Sequence, residues 1–537
     1  MKVIAKNAAA IAVAFLTAVT LTPFVLYPHP ALLDYQNHLA RFWILADPRH
    51  EAQVARYYLI DWRHVSGGVL TDLVARLAGA VASAQTIGRG LLAASLLLPP
   101  LGALALNIRL FGRPGAQALL IPFFAWTPMA LAGFMSFQMG AGLALLSVAL
   151  EPAFGRNRTS LALGRIACGV LIYLAHPLDL IFYAVLLAVT TFAASAGDPP
   201  ATARQRALRA LSAAATTLVS AAMVCVVTRT PPGNTEHAVP TPGYHWHGPV
   251  TSIASIVSPL RTYDWRVDAI LAAVAAGALA LAAARGRVSV HVGLIWTAAV
   301  FALLSPFMPY ATPSGDWADR RLPLLALFTA LGALRVEPAK RSEALALVGV
   351  AALLVSLRTG YIAYNFAGAE RLSNAVDQAL SAAPEGAVIL PMQHEPTEAE
   401  KAARLPGRFL GGKLPTYWFL GSSVVWLKGG FTPTLFAQRG VHPLRVSPQW
   451  RDAAYAEGGY LPSINALTNP QLMAKYPPYV RLWRDRFDYV LVMNADFPDR
   501  NGPVQLPPEL SLVNDAGFAQ LYRVTHRQSA APPKAAP

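Results

Sequence analysis

A succession of about eleven apolar segments constrains this chain more than any other feature. They lie near 8–27, 90–107, 116–131, 132–150, 161–176, 178–195, 208–228, 267–284, 290–310, 321–335 and 344–362. Inside hydrocarbon a backbone must satisfy its own hydrogen bonds, so segments of this length and composition cross a bilayer as helices. Composition agrees. Only 14% of the residues are charged, against about 25% in a soluble protein. The expected class is a mainly α, polytopic membrane protein.

Arginine sets the expected orientation. With the N-terminus in the cytoplasm, every second loop is cytoplasmic. Those loops hold Lys2 and Lys6, Arg109 and Arg113, Arg156 and Arg158 with Arg165, Arg204 with Arg206 and Arg209, Arg285 and Arg287, and Arg335 with Lys340 and Arg341. The short turns near 131–135 and 176–179 hold no Lys or Arg. Six alternations agree with the positive-inside rule. The net charge is +15. Residues 1–362 hold 27 Lys/Arg against 15 Asp/Glu, and the remainder 17 against 14. The basic excess therefore belongs to membrane loops, and no clustered basic block calls for nucleic acid. The expected location is a bacterial inner (plasma) membrane, with the C-terminal part periplasmic or extracellular. The start, Met1 to Tyr27, reads as a retained first span rather than a cleaved leader.

Three regions follow from this plan. Residues 1–362 form the membrane domain, with 28–89 as a long first outer loop. Within that loop, 67–83 is apolar but carries Asp72 and Arg76. Four apart, these are expected to pair on one face of an interfacial helix. After Tyr364, charges, prolines and glycines rise. The stretches 387–390, 423–426, 488–492 and 521–524 read as short strands, so 363–527 is expected to be a small extracytoplasmic α/β domain. Residues 528–537 form an Ala/Pro-rich tail expected to be disordered. The two cysteines, Cys168 and Cys225, sit in apolar segments, which argues against a disulfide or a thiolate metal site.

The expected topology gathers the chemically capable residues on the outer side. The first outer loop opens with Asp34, Asn37, His38 and Arg41, and continues with Asp61-Trp62-Arg63-His64. Asp34 is placed to act as a base, and His38, four residues on, shares its helical face. The competing reading makes Asp34 a helix N-cap. Arg320 and Arg321 enter a span from outside against the usual charge bias, which suits a phosphate contact. Pairing with Asp316 and Asp319, or snorkelling to ordinary lipid head groups, is the alternative. Asp319 joins the candidate substrate contacts. So does His176, which with Asp179 flanks Pro177 at an outer turn. A long outer loop holds His237, Tyr244-His245-Trp246-His247 and Tyr263-Asp264-Trp265-Arg266. Most of its aromatics suit an interfacial belt, and Tyr244 is the candidate for stacking on a sugar. His29 and Asp34 match the H-x-x-x-x-D spacing of glycerolipid acyltransferases, but those enzymes carry it in a mainly soluble domain, so the match is read as coincidence.

On these residues the chain resembles the GT-C superfamily of integral-membrane glycosyltransferases. It resembles more closely a group of bacterial membrane proteins with a D-Y-x-N-H-L-A-R first-loop pattern, here Asp34 to Arg41. Two further motifs carry the likeness, the turn Gly133-Phe134-Met135-Ser136-Phe137 and the entry Arg321-Leu322-Pro323. The resemblance implies a polyprenyl-phosphate-linked sugar as donor and inverting transfer at the outer face, with Asp34 as base. The acceptor would be an envelope lipid, glycan or protein. Many members pair two acidic residues in this loop, whereas here Asp34 stands alone until Asp47. A metal-free mechanism therefore fits better than a divalent-metal site. Two other classes stay open: a transporter or flippase of lipid-linked saccharides, and a non-catalytic envelope assembly protein. Almost no ionisable residue lies at mid-span, which counts against a transport path.

Overall fold

The computed structural model describes residues 2–65, 67–155, 157–194, 202–228, 243–312 and 315–525, without the side chains of 2–10. His237, Arg156 and the tail 528–537 lie outside the described residues, as do the side chains of Lys2 and Lys6. The chain is mainly helical. Among the described residues, seven helices are long and apolar enough to cross a membrane, not eleven. In chain order the elements used below are α1 (Lys2–Val19), α2 (Tyr35–Ala46), α3 (Leu70–Ala78), α4 (Ala84–Phe111), α5 (Met135–Leu150), α6 (Arg158–Ala175), α7 (Pro177–Ala194), α8 (Ala203–Thr228), α9 (Trp265–Arg285), α10 (Val292–Leu304), α11 (Ala318–Ala333) and α12 (Arg341–Ser381).

Four expected spans are missing from this count, and the first, 8–27, is divided where α1 ends at Val19 and a short helix runs Thr22–Leu26. The segment expected to cross at 116–131 is a 3-10 helix (Ala116–Phe124) followed by one short α-turn (Pro128–Ala132). Pro122 and Pro128 interrupt it, because proline supplies no N–H to an α-helical ladder. Buried neighbours surround it, so its apolarity reflects a protein core. The segments expected at 290–310 and 321–335 are helices of 13 and 16 residues, short of the roughly 20 that a full crossing takes. In the other direction, α12 runs for 41 residues, about 60 Å. It carries the chain straight through the boundary expected at 362.

Three of the six arginine-rich loops lie together. At one end, β2 (Arg287–Val290) pairs with β3 (Leu334–Glu337), and Arg113 bonds Glu337 at 2.6 Å. Three loops of the arginine-rich set thus meet. At the other end, the Leu33 and Asp34 amides donate to the Leu131 and Ala132 carbonyls, both at 3.0 Å. There the Tyr263 hydroxyl bonds the Ala31 carbonyl at 2.7 Å, and Trp246 bonds the Phe307 carbonyl at 3.0 Å.

The C-terminal region is built on a four-stranded sheet of β4 (Ile389–Gln393), β6 (Tyr489–Met493), β7 (Leu510–Asp515) and β8 (Ala519–Val524). Its order is β7-β8-β6-β4, with only β6 and β4 parallel. The strands expected at 387–390, 488–492 and 521–524 lie in this sheet within a few residues. The one expected at 423–426 does not exist. Ser423–Lys428 is a short helix, closed by Gly429 in the left-handed conformation at φ +56°. Its two valines are buried, so their β preference yields to packing.

The loop 28–89 packs on both sides: Tyr35, Leu39, Phe42 and Ala75 share a core with Ile87 and Leu91 of α4, and other parts of it join the C-terminal region. Its strand β1 (Tyr58–Ile60) pairs with β5 (Leu444–Val446). Ala40, Ile44, Val54, Tyr57 and Tyr58 share one apolar core with the sheet. In the same loop α3 is nine residues long, too short to cross. Its expected Asp72–Arg76 pair is absent. Asp72 is fully buried and takes the Arg41 Nε at 2.6 Å, while Arg76 reaches the Leu45 carbonyl at 3.2 Å. Burial decides this: a desolvated carboxylate needs a close buried partner, and the surface arginine is not one.

Candidate functional site

Asp34 occupies the N-cap position of α2, but its side chain caps nothing. Among the described residues its carboxylate has no hydrogen-bond donor, although the residue is only 8% exposed. The N-cap reading therefore fails. What fixes Asp34 is backbone: its amide bond to Ala132 places it against Gly133. That glycine ends the short Pro128–Ala132 helix at φ +88°, and a Cβ there would lie 3.2 Å from the Asp34 Cβ. Burial, reinforced by the charge of Asp316, holds the Asp34 carboxyl well above the usual carboxylate range, against the opposing pull of Arg41.

The turn that leads into α11 supplies the other half of the site. Asp316 precedes Trp317, which adopts a left-handed backbone at φ +64° and starts α11. A tryptophan in this conformation is strained, and such strain collects at functional sites. The turn brings Arg321 onto His176, with the guanidinium 2.9 Å from Nε2, and onto the Asp316 carbonyl at 3.2 Å. Its Nε is buried without a hydrogen-bond partner. Phe134 and Phe137, from the turn that begins at Gly133, flank the guanidinium at 5.5 and 5.6 Å. Behind His176, at 3.9 Å from Nδ1, stands Asp179, fully buried with neither carboxylate oxygen hydrogen-bonded. Gly140 makes room for it, since a Cβ there would lie 2.3 Å from the Asp179 Oδ2. Arg321 lies on Nε2, while the Leu178 amide donates to Nδ1 at 3.2 Å, so both ring nitrogens are engaged within the two turns.

The remaining sequence candidates divide. Arg320 lies over the Trp317 ring at 4.1 Å, and Asp319, 2% exposed, stands 4.0 Å from His247. Both therefore sit on the same turn as Arg321. Tyr244 is 60% exposed and packs on Trp246, a surface position of the interfacial-belt kind. Asn37 and Arg41 are committed to structure. Asn37 donates to the Thr434 carbonyl and accepts from Ser422 Oγ, each at 3.0 Å, and so ties α2 to the outer domain. Arg41, 1% exposed, holds Asp72 and reaches His38 Nδ1 at 3.2 Å. The His38 side chain does not meet the Asp34 carboxylate. Its ring lies between Phe42 and Phe436, and burial and Arg41 keep its pKa well below the usual imidazole value. His29 is equally diverted, bonding Glu370 on α12 at 3.0 Å.

Sequence reasoning missed what closes the site from above. Phe436 and His442 stack beside His38, and burial, with a smaller contribution from the Asp316 charge, raises the pKa of both Tyr455 and Tyr460. These four residues come from the C-terminal region, more than 100 residues beyond the turn at Asp316–Arg321, and no local pattern marks them. Among the described residues no three His, Cys, Asp or Glu side chains converge to hold a metal ion. The arrangement offers a buried carboxylate, Asp34, and a cationic group, Arg321, each within the field of Asp316. Comparison with protein-family models, curated proteins and solved structures finds no match to this chain.

Proposed function

We propose that this multi-pass membrane protein is a glycosyltransferase of the inner membrane, moving a sugar from a polyprenyl-phosphate donor to an envelope lipid, glycan or protein at the outer face. The observation that carries the reading is the convergence of Asp34, Asp316, Arg321 and His176 at the end of the bundle opposite the loops of Arg113, Arg287 and Arg335. In this reading the acceptor hydroxyl gives its proton to Asp34 as its oxygen bonds the anomeric carbon. The bond from that carbon to the phosphate breaks, and the polyprenyl phosphate leaves. Asp34 is suited to the task because its raised pKa makes it a stronger base than an exposed aspartate. Arg321, with Arg320 beside it, neutralises the departing phosphate. Asp179 and His176 keep the Arg321 guanidinium turned toward the site and act as positioning residues.

Mass spectrometry of envelope lipids and glycans tests the reading, in a deletion strain complemented with wild type or Asp34→Asn. A sugar-sized mass should vanish in the deletion and return only with wild type. Full restoration by Asp34→Asn removes Asp34 from the chemistry. Accumulation of an unmodified lipid-linked intermediate moves the protein to the transport class.

A further inference from the structure

At the opposite end of the bundle, α7, α8 and α10 enclose an open groove of about 610 Å³. That volume falls within the range of small-molecule sites, about 300–1,000 Å³. The lining is short and apolar, including Val189, Ala207, Ala214 and Gly293. Gly293 admits the close approach of α7, since a Cβ there would lie 2.8 Å from Val189 Cγ1. One strong charge stands at the mouth. Arg206 lies over the Phe192 ring at 4.2 Å and gives its Nε to the Phe192 carbonyl at 3.1 Å. This anchors the side chain and leaves its two terminal amino groups directed elsewhere. Arg204 and Arg209 are exposed on the same turns of α8, and the first turn carries no acid. Leu208 and Leu211 beside them are 56% and 67% exposed.

An apolar slot with Arg206 at its mouth, and two further exposed arginines on the same turns, matches one occupant, a lipid with an acyl chain and an anionic head group. Basic pockets between transmembrane helices bind such head groups. We propose that this groove is a binding site for an anionic phospholipid of the leaflet next to Arg204, Arg206 and Arg209, separate from the Asp34 site and from any sugar donor there. The acyl chain lies along Ala207, Ala214 and Val189, and the head-group phosphate meets Arg206. The site would fasten α8 to α7 and α10 in membranes rich in such lipids.

The test is native mass spectrometry of delipidated full-length protein in detergent, with phosphatidylglycerol or phosphatidylcholine of the same chains added. The wild type should retain phosphatidylglycerol in excess over phosphatidylcholine. Arg206→Gln should lower that excess about 5-fold, the worth of one interfacial arginine. Ala214→Phe should fill the slot and lose both lipids, with elution and thermal midpoint unchanged. If that variant misfolds, Ala207→Phe at the more exposed edge replaces it. Inorganic phosphate that strips the lipid at millimolar concentration would reduce the site to a lone guanidinium and overturn the proposal. Equal retention of the two lipids by wild type, or wild-type retention by Arg206→Gln, would overturn it as well.

Discussion

The Arg321 guanidinium meets His176 Nε2 at 2.9 Å, joining two outer turns that lie 145 residues apart in the chain. Each turn alone presents its polar residues at a helix end. Together they give a cation aimed by a neutral imidazole, which is itself backed by the buried carboxylate of Asp179. Removing the cation should cost more than removing its support. Arg321→Gln is expected to lower transfer by about 100-fold or more, as loss of a preorganised charge does. His176→Gln keeps an acceptor for Arg321 and should stay within about 10-fold of wild type. Initial rates with a lipid-linked donor in detergent compare the two, and equal losses would place His176 in the chemistry itself.

The neighbouring carboxylates give a pH signature. Asp34 must be ionised to accept a proton, and its pKa lies above the ordinary range, partly because of Asp316. The acid limb of the rate profile should therefore lie above the usual carboxylate pKa of about 4. Asp316→Asn removes the repelling charge and should move that limb to lower pH. A limb that stays in place would uncouple the two residues.

Asp34 also carries a stability cost. A carboxyl whose pKa is raised by folding favours the fold while protonated, and this contribution is lost as pH rises through the raised value. At neutral pH the ionised group is a burden on the native state. Asp34→Asn should therefore raise the thermal midpoint at neutral pH while abolishing transfer, and the gain should shrink in acid. A lower midpoint would mean that the carboxylate has a structural partner after all.

Gly133 can be tested by a single branched side chain. Valine at φ +88° is strained by about 1–3 kcal/mol, and its Cβ would press on Asp34. Gly133→Val should lower both the midpoint and the activity, whereas Gly90→Ala, inside α4 where a Cβ meets nothing within 4 Å, should leave activity unchanged and not lower the midpoint. Thermal unfolding with a parallel transfer assay distinguishes the two positions.

The Arg41–Asp72 pair fixes the first outer loop. With side chains 1% and 0% exposed, loss of one partner strands a buried charge. Asp72→Ala should cost about 3–5 kcal/mol, and Arg41→Met combined with Asp72→Leu should recover much of it. Chemical unfolding of the purified variants measures both, and a mild single mutant would mean that water reaches the pair.

By itself the sequence determined what depends on neighbouring residues. Hydropathy marked the long helices, and arginine spacing grouped the loops of Arg113, Arg287 and Arg335, which the structure brings together. Strand patterns located three of the four stretches read as strands, and the polar side chains at the outer turns announced Asp34, Arg320 and Arg321. Tertiary structure decided the rest. Apolarity alone does not separate a membrane span from a core segment, and only packing revealed 116–132 as the latter. Helical spacing offered Arg76 to Asp72 and Asp34 to His38, yet burial gave those partners to Arg41 and Phe436. The pairings of Arg321 with His176, Asn37 with Thr434 and Tyr58 with Val446 each close a loop of well over 100 residues. Such contacts form only when the whole chain is folded, because the entropy of bringing distant segments together is repaid by the shared core and not by any local signal.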